Sequence, residues 1–454
     1  MRVVIIGAGE VGFHIARHLS IEKKDVVVID ENPEAIRRVS DHLDVQVITG
    51  SGSSPAVLKE AGIRGADIML AVTDRDETNL VACMVTDLLA PNTHKIARIR
   101  AAGFDDFHET FRSQAPHIDT IINPLTEVVK TIYQLMSVPG AADVGQFADG
   151  RIKFVGVYME TTSRLAGVKL SDLPAKAGTV RPLIAAVVRE DHLIIPRGKD
   201  RLMPGDLVYF ISEEEKLFET LAVFGKHADP IKRVLIIGGG RIGYRLAALL
   251  EEKSISSKVI DKNLDRCSLL AERLKDAVVL CGDGSDQALL EEENISEMDV
   301  VVTVTDDEET NILTALLATR MGARKSIAKI DKFGYFPLMK AIGIEQVVSP
   351  RLSAINSILQ HIRKGKVLSA MSIKGEQAEV MEAVALETSD IVGRPLKDVD
   401  FPKGAMVVGV IRAGKIIIPS GASVIAPEDR IIIFAQRDAI PKIESILAVK
   451  LEYF

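Results

Sequence analysis

The chain has 454 residues, room for three or four domains at about 100–200 residues each. Hydrophobic residues make up 47 % and charged residues 26 %, and no apolar run approaches the roughly 20 residues of a membrane-spanning helix, so a soluble globular protein is expected. A net charge of −7 without tryptophan argues against a nucleic-acid partner, whether gripped by a basic surface or by base stacking.

In chain order, Val3 to Ile6 reads as a strand, and Gly7-Ala8-Gly9-Glu10-Val11-Gly12 reads as a glycine loop opening a helix to Leu19. Val26 to Asp30 is then a second strand that ends on an acid. This order suits a dinucleotide: Gly7 permits the tight turn, Gly9 lets a pyrophosphate approach the backbone, and Gly12 lets helix and strand pack closely. The helix start offers free N–H groups and a positive dipole end to the phosphates. Asp30 would accept from a ribose 2′-hydroxyl and repel a 2′-phosphate, favouring NAD(H) or an adenosine nucleotide over NADP. The competing reading is a glycine loop that has lost its ligand. Because a strand opens the chain, no signal peptide is expected.

A helix should follow Asn32-Pro33, a strand run from Val45 to Thr49, and a helix start after Ser53-Ser54-Pro55. Ile68 to Val72 is a fourth strand, and Asp74 or Asp76 is expected to cap a helix continuing through Leu89. Lys95 to Ile99 and Thr120 to Ile122 complete the strands. Such alternation predicts an α/β domain with a doubly wound parallel sheet over residues 1–140. Residues 141–226 instead carry short β-rich runs broken by turn residues, a small α+β domain.

The programme then repeats. Gly7, Gly9, Gly12 and Asp30 match Gly238, Gly240, Gly243 and Asp261, each displaced by the same interval (238 − 7 = 261 − 30 = 231). The second loop reads Gly238-Gly239-Gly240-Arg241-Ile242-Gly243. Val72-Thr73-Asp74 recurs as Val304-Thr305-Asp306, and Pro204-Gly205-Asp206 as Pro427-Glu428-Asp429. Residues 231–366 are therefore a second Rossmann-like domain and 367–454 a second small α+β domain, with a hinge near residues 225–232.

The candidate ligand groups lie at strand ends. Ser51 and Asp283 follow the third strands and face an adenine edge in this reading; Thr73-Asp74 and Thr305-Asp306 border the second ribose or distal phosphates, or cap the next helix. Arg98 and Arg100 share one face of the fifth strand and can clamp a pyrophosphate, unless they are an ordinary solvated pair. Their counterparts are Lys329 and Asp331, so the first site should take a polyphosphate better than the second. His14 and His18 have a metal-like spacing but no third ligand nearby, and read as a solvated helix face. Cys83, Cys267 and Cys281 form no C-x-x-C pair and fit a reducing cytosol.

No catalytic constellation is evident, and His192 is not repeated in the second half. A nucleotide sensor fits better than the alternative, an NAD-dependent oxidoreductase with duplicated Rossmann domains. The glycine loops, Asp30, Gly50-x-Gly52-Ser53, Thr73-Asp74 and Ala97-Arg98-Ile99-Arg100, duplicated with their small domains, resemble the TrkA family of Trk potassium uptake proteins, tandem RCK (TrkA-N plus TrkA-C) modules. The resemblance covers nearly the whole chain. It implies a cytoplasmic regulatory subunit, peripheral on the inner face of the cell membrane, that forms a homo-tetrameric ring beneath an integral-membrane potassium transporter or channel of the Trk type. It also implies NAD(H), and ATP or ADP, at residues 7–11, Asp30, Thr73, Asp74 and Arg98, and at residues 238–242, Asp261 and Thr305. Ser51 stands where the family usually has an acid.

Overall fold

Runs of valine and isoleucine without polar alternation fold as strands covered on both faces. The computed structural model describes residues 1–138, 140–176, 182–190, 192–226, 231–344, 346–362, 367–373 and 377–447. Its first half contains β1 (Arg2–Ile6), α1 (Glu10–Ile21), β2 (Asp25–Asp30), α2 (Pro33–His42), β3 (Gln46–Thr49) and α3 (Pro55–Glu60). There follow β4 (Ile68–Ala71), α4 (Asp76–Leu89), β5 (His94–Arg98), α5 (His108–Ser113), β6 (Thr120–Ile122) and α6 (Pro124–Ser137). The strands form one parallel sheet in the order β3-β2-β1-β4-β5-β6. Val3, Val4, Ile5, Val27, Val28 and Ile29 are wholly buried at its centre.

The next elements are β7 (Ala141–Phe147), β8 (Ile152–Tyr158), α7 (Leu173–Lys176), β9 (Leu183–Arg189), β10 (His192–Ile194), β11 (Leu207–Glu213) and α8 (Leu217–Val223). Their sheet is antiparallel, ordered β10-β9-β11-β8-β7, which is the small α+β domain expected from the change in texture.

The second half restates both designs. It runs β12 (Arg233–Ile237), α9 (Arg241–Glu252), β13 (Ser256–Asp261), α10 (Leu264–Arg273), β14 (Val278–Cys281) and α11 (Gln287–Glu292). Then come β15 (Val300–Thr303), α12 (Glu308–Arg320), β16 (Ser326–Lys329), α13 (Phe336–Ala341), β17 (Gln346–Val348) and α14 (Pro350–Ile362). The parallel order is β14-β13-β12-β15-β16-β17. The last sheet, β18-β19-β22-β20-β21, is antiparallel and uses β18 (Val367–Ile373), β19 (Ala378–Val384), β20 (Ala405–Arg412), β21 (Lys415–Ile417) and β22 (Arg430–Gln436), followed by α15 (Ile440–Leu447).

Two compact units divide this chain, and they do not follow the repeat. One holds residues 1–128 with 350–363; the other holds 129–349 with 364–454. In the first, α14 packs on α1 and β6 although it ends the second Rossmann-like half. In the second, the end of α6 is tied down by Lys325, whose Nζ donates to Leu135 O (2.6 Å) and Val138 O (3.3 Å). The second unit also contains both small sheets, whose Phe154, Tyr209, Val408 and Phe434 meet in one core. Of the hinge expected near residues 225–232, positions 227–230 lie outside the described residues.

Two local expectations are overturned. Neither Asp74 nor Asp76 caps α4: the cap position is Arg75, and Asp76 Oδ2 instead accepts from Arg100 N and Ala101 N, both at 2.9 Å. Capping lost to these two donors because the chain leaving β5 passes directly over the start of α4. His18 is buried rather than solvated, with Nε2 2.9 Å from Glu22 Oε1, because α1 lies between the sheet and α14.

Candidate functional site

Strand order reverses between β1 and β4, and ligands of open parallel sheets bind outside the carboxyl ends at such a point. There the first half opens a cleft of about 560 Å³. The glycine loop forms its floor, and each glycine has a separate reason to be there. Gly7 sits at φ +109°, with an added Cβ meeting Thr73 N at 2.9 Å. A Cβ on Gly12 would stand 1.8 Å from Gly7 O. A Cβ on Gly9 would have nothing within 4 Å, so that position faces open space where a phosphate can approach. The loop is held from both sides. Asp30 Oδ2 accepts from Ala8 N (2.6 Å) and its Oδ1 from Asn32 N (2.8 Å), while Arg38 donates to Ala8 O (3.2 Å) and pairs with Glu10 (2.5 Å).

The opposite wall depends on a buried asparagine. Asn79 Oδ1 accepts from Thr73 N (3.0 Å) and from the Thr73 hydroxyl (2.7 Å), and its amide donates to Thr73 O (3.1 Å) and Arg98 O (2.8 Å). The ends of β4 and β5 are thereby locked side by side. Arg98, Arg100 and Arg351 all line the cleft. Arg98 Nε is buried without a hydrogen-bond partner among the described residues. Burial first, then the Arg100 charge and to a lesser degree Arg351, depress the Arg98 guanidinium below its ordinary value, against Asp76 and Asp74, which raise it. A bound anion would relieve that crowding. Burial raises the Glu10 carboxyl, but Arg38, His14 and Arg351 outweigh it and hold Glu10 low, hence ionised.

Gly7, Gly9, Glu10, Val11, Asp30, Thr73, Asp74, Arg98 and Arg100 line this cleft together. Ala8 lies buried behind the loop, Gly12 is packed on Gly7, and the Ser51 hydroxyl is 3.0 Å from that of Ser53, while Gly50 and Gly52 form the wall there.

The second half repeats the frame down to its hydrogen bonds. Gly238 is at φ +108° and Gly243 would clash with Gly238 O at 2.0 Å. Gly239 N donates to Asp261 Oδ2 (2.7 Å) and Asn263 N to Oδ1 (2.9 Å). Asn311 holds Thr305 and Lys329 O as Asn79 holds Thr73 and Arg98 O. The charged groups differ. Arg266 Nη1 is 3.6 Å from Asp261 and 3.8 Å from where a Gly240 Cβ would be. Lys329 Nζ donates to Thr305 O (3.0 Å) and lies 3.8 Å from Asp331, so its ammonium already has backbone and carboxylate partners. Asp283 Oδ1 accepts from Ser285 N and Oγ, bonds that lower its carboxyl pKa. Arg241 and Asp306 are exposed and Ile242 is buried.

Sequence reasoning missed Arg351, Arg266 and the two asparagine locks. Asn79 was legible as part of a repeated Glu-Thr-Asn; Arg266 replaces Ala35 at the matched position and could have been found by aligning the halves. Nothing near Arg351 in sequence points to this cleft.

The TrkA-N domain model matches residues 3–124 and 234–350, and the TrkA-C domain model matches 154–225 and 380–448. The chain is 37 % identical to a Trk system potassium uptake protein TrkA of Azorhizobium caulinodans, with 100 % of each chain covered. It is 39 % identical to Trk system potassium uptake protein TrkA homolog 1 of Methanosarcina mazei, covering 98 % of this chain and 99 % of the relative. The structure of the GsuK channel bound to NAD is similar in fold, with a TM-score of 0.59 at 18 % identity over 98 % of this chain and 78 % of that one. The GsuK RCK domain gives 0.58 at 18 %, covering 98 % and 94 %.

Proposed function

The chain belongs to the TrkA family of Trk system potassium uptake proteins, and from that membership we propose that it is a regulatory subunit whose first-half cleft senses an adenine nucleotide. NAD(H) is the first candidate ligand, with ATP and ADP as competitors for the same cradle. The relatives and the proteins of similar fold are named as potassium uptake proteins and channel RCK domains, and the oxidoreductase reading gives way on that ground. The observation that carries the proposal is the cleft itself: an open Gly9, an acid at the end of β2, and a lining that includes the guanidinium groups of Arg75, Arg98, Arg100 and Arg351. The GsuK channel of similar fold was solved bound to NAD, which makes that ligand the natural first test.

In this reading the nucleotide is kept and not transformed. Ligand binding would favour one arrangement of neighbouring modules over another by its difference in affinity for the two. The partner is an integral-membrane potassium transporter or channel of the Trk type, reached from the cytoplasmic side by a homo-tetramer. The test is calorimetry with NADH, NAD, ATP and ADP, beside an absorbance trace of NADH over a panel of small substrates. Binding with a flat trace supports sensing, turnover of NADH would reinstate the enzyme, and absence of any binding would end the proposal. Recovery of a Trk-type membrane subunit with the tagged protein tests the partner.

Asp30 offers a sharper check. Asp30→Ala removes a charged acceptor worth about 1.5–3 kcal/mol, so NADH affinity at the first half should fall roughly 10- to 100-fold in calorimetry. Asp30→Asn, which keeps an acceptor for Ala8 N, should fall less.

A further inference from the structure

Among the groups around the cleft, Arg351 is the one that arrives from elsewhere in the chain. It stands in the first turn of α14, the helix that follows β17 at the end of the second Rossmann-like half, yet α14 packs on α1 and β6 of the first. It lines the cleft beside the start of α1, close enough to lower Glu10 and to act on Arg98. Arg351 is exposed and makes no ion pair among the described residues, whereas Arg38 is already paired with Glu10 and Arg100 leans on Asp76. The matching helix of the first half also opens on a proline, Pro124, but carries Leu125 at this position. The charge therefore belongs to one cleft and not to both.

We infer that Arg351 is the polyphosphate-discriminating residue of the first cleft, gripping the distal phosphates of a nucleoside di- or triphosphate and thereby loading α14. This rests on the nucleotide-sensing reading of the same cleft. A guanidinium that is exposed, unpaired and set in the same cleft as the half-buried Arg98 gains most from the ligand with the most negative charge. A dinucleotide with a single pyrophosphate gains less from the same contact. Because α14 continues directly from β17 through Ser349, tension on Arg351 is tension on the connection to the second sheet. A phosphate-dependent pull on one helix is then a means of reporting which nucleotide is present.

The experiment compares the full-length protein with Arg351→Ala and Arg351→Gln, titrating ATP, ADP and NADH by calorimetry and following hydrogen exchange over residues 352–362. Arg351→Ala is expected to weaken ATP about tenfold and NADH less than about threefold, with Arg351→Gln close to it. ATP should slow exchange across 352–362 in the parent protein and fail to do so in either variant. Equal losses for ATP and NADH, or no loss for either, would overturn the role of Arg351, as would ATP protection that persists in both variants. A parent protein that binds none of the three would instead remove the nucleotide-sensing reading, and this inference with it. Far-ultraviolet melts guard against misfolding, and Arg351→Gln repeats the test should Arg351→Ala fail to fold.

Discussion

Gly12→Ala is expected to destabilise the first half by about 3 kcal/mol or more and to abolish nucleotide binding there, since overpacking usually costs about 1–3 kcal/mol and this contact is worse than most. The new Cβ would stand 1.8 Å from Gly7 O and 2.9 Å from Gly7 C, both backbone atoms. Neither can retreat. Gly7 N is bonded to Ile29 O at 2.8 Å, and Phe13 N to Gly9 O at 2.8 Å, so the turn is tied to β2 on one side and to α1 on the other. Relief would require α1 to lift from the sheet, exposing Ile15 and Leu19, both buried. Gly9→Ala separates the two effects. With nothing within 4 Å of its Cβ, that variant should melt like the parent protein and yet bind nucleotide poorly, because the methyl group occupies the phosphate's approach. Denaturant titration and calorimetry on the pair decide it: equal melting of Gly12→Ala and the parent would contradict the packing argument, and undiminished binding by Gly9→Ala would contradict the site.

The second large effect lies in the small domains. Arg430 Nε donates to Glu382 Oε1 at 2.6 Å and its Nη1 pairs with Asp149 at 2.6 Å, and the two carboxylates raise the guanidinium pKa against its burial. Glu382 is 1 % exposed, and its other oxygen accepts from Ala148 N (2.9 Å) and the Ser369 hydroxyl (3.1 Å). Arg430→Ala leaves that carboxylate buried with neutral donors alone. Removing one partner of a buried pair costs about 3–5 kcal/mol, and the partial exposure of Arg430 places this case near 3. Denaturant unfolding of the variant beside the parent protein measures this; a deficit below about 1 kcal/mol would refute it.

What could be read from sequence was whatever chemistry repeats locally. The three roles of Gly7, Gly9 and Gly12 depend on atoms within one turn and one neighbouring strand, and the parallel sheets follow from alternating apolar runs. Arg98 and Arg100 were legible as a pair because alternate residues of an extended run share a face, and both line the cleft although β5 ends at Arg98 and leaves Arg100 beyond it. By contrast, Asp76 looked like a helix cap because capping is the local option, whereas two N–H groups from the far end of β5 won it. His18 sat at a spacing that suits a wet helix face, yet it is wholly buried, and its own stretch of sequence gives no sign of what covers it. Arg351 was invisible for the same reason. It lies more than three hundred residues from the loop it faces, and no periodicity reports that a helix leaves the sheet that precedes it.

That crossing has a practical outcome for anyone cutting the gene. A fragment ending after the first small domain would retain Gly7, Gly9, Gly12, Asp30, Arg98 and Arg100, yet lack α14, which packs on α1. Its bare flank would expose apolar surface and invite self-association, and its cradle would be missing one wall. A helix that ends the second Rossmann-like half thus serves the first, so likeness between the halves is a poor guide to where the chain can be cut.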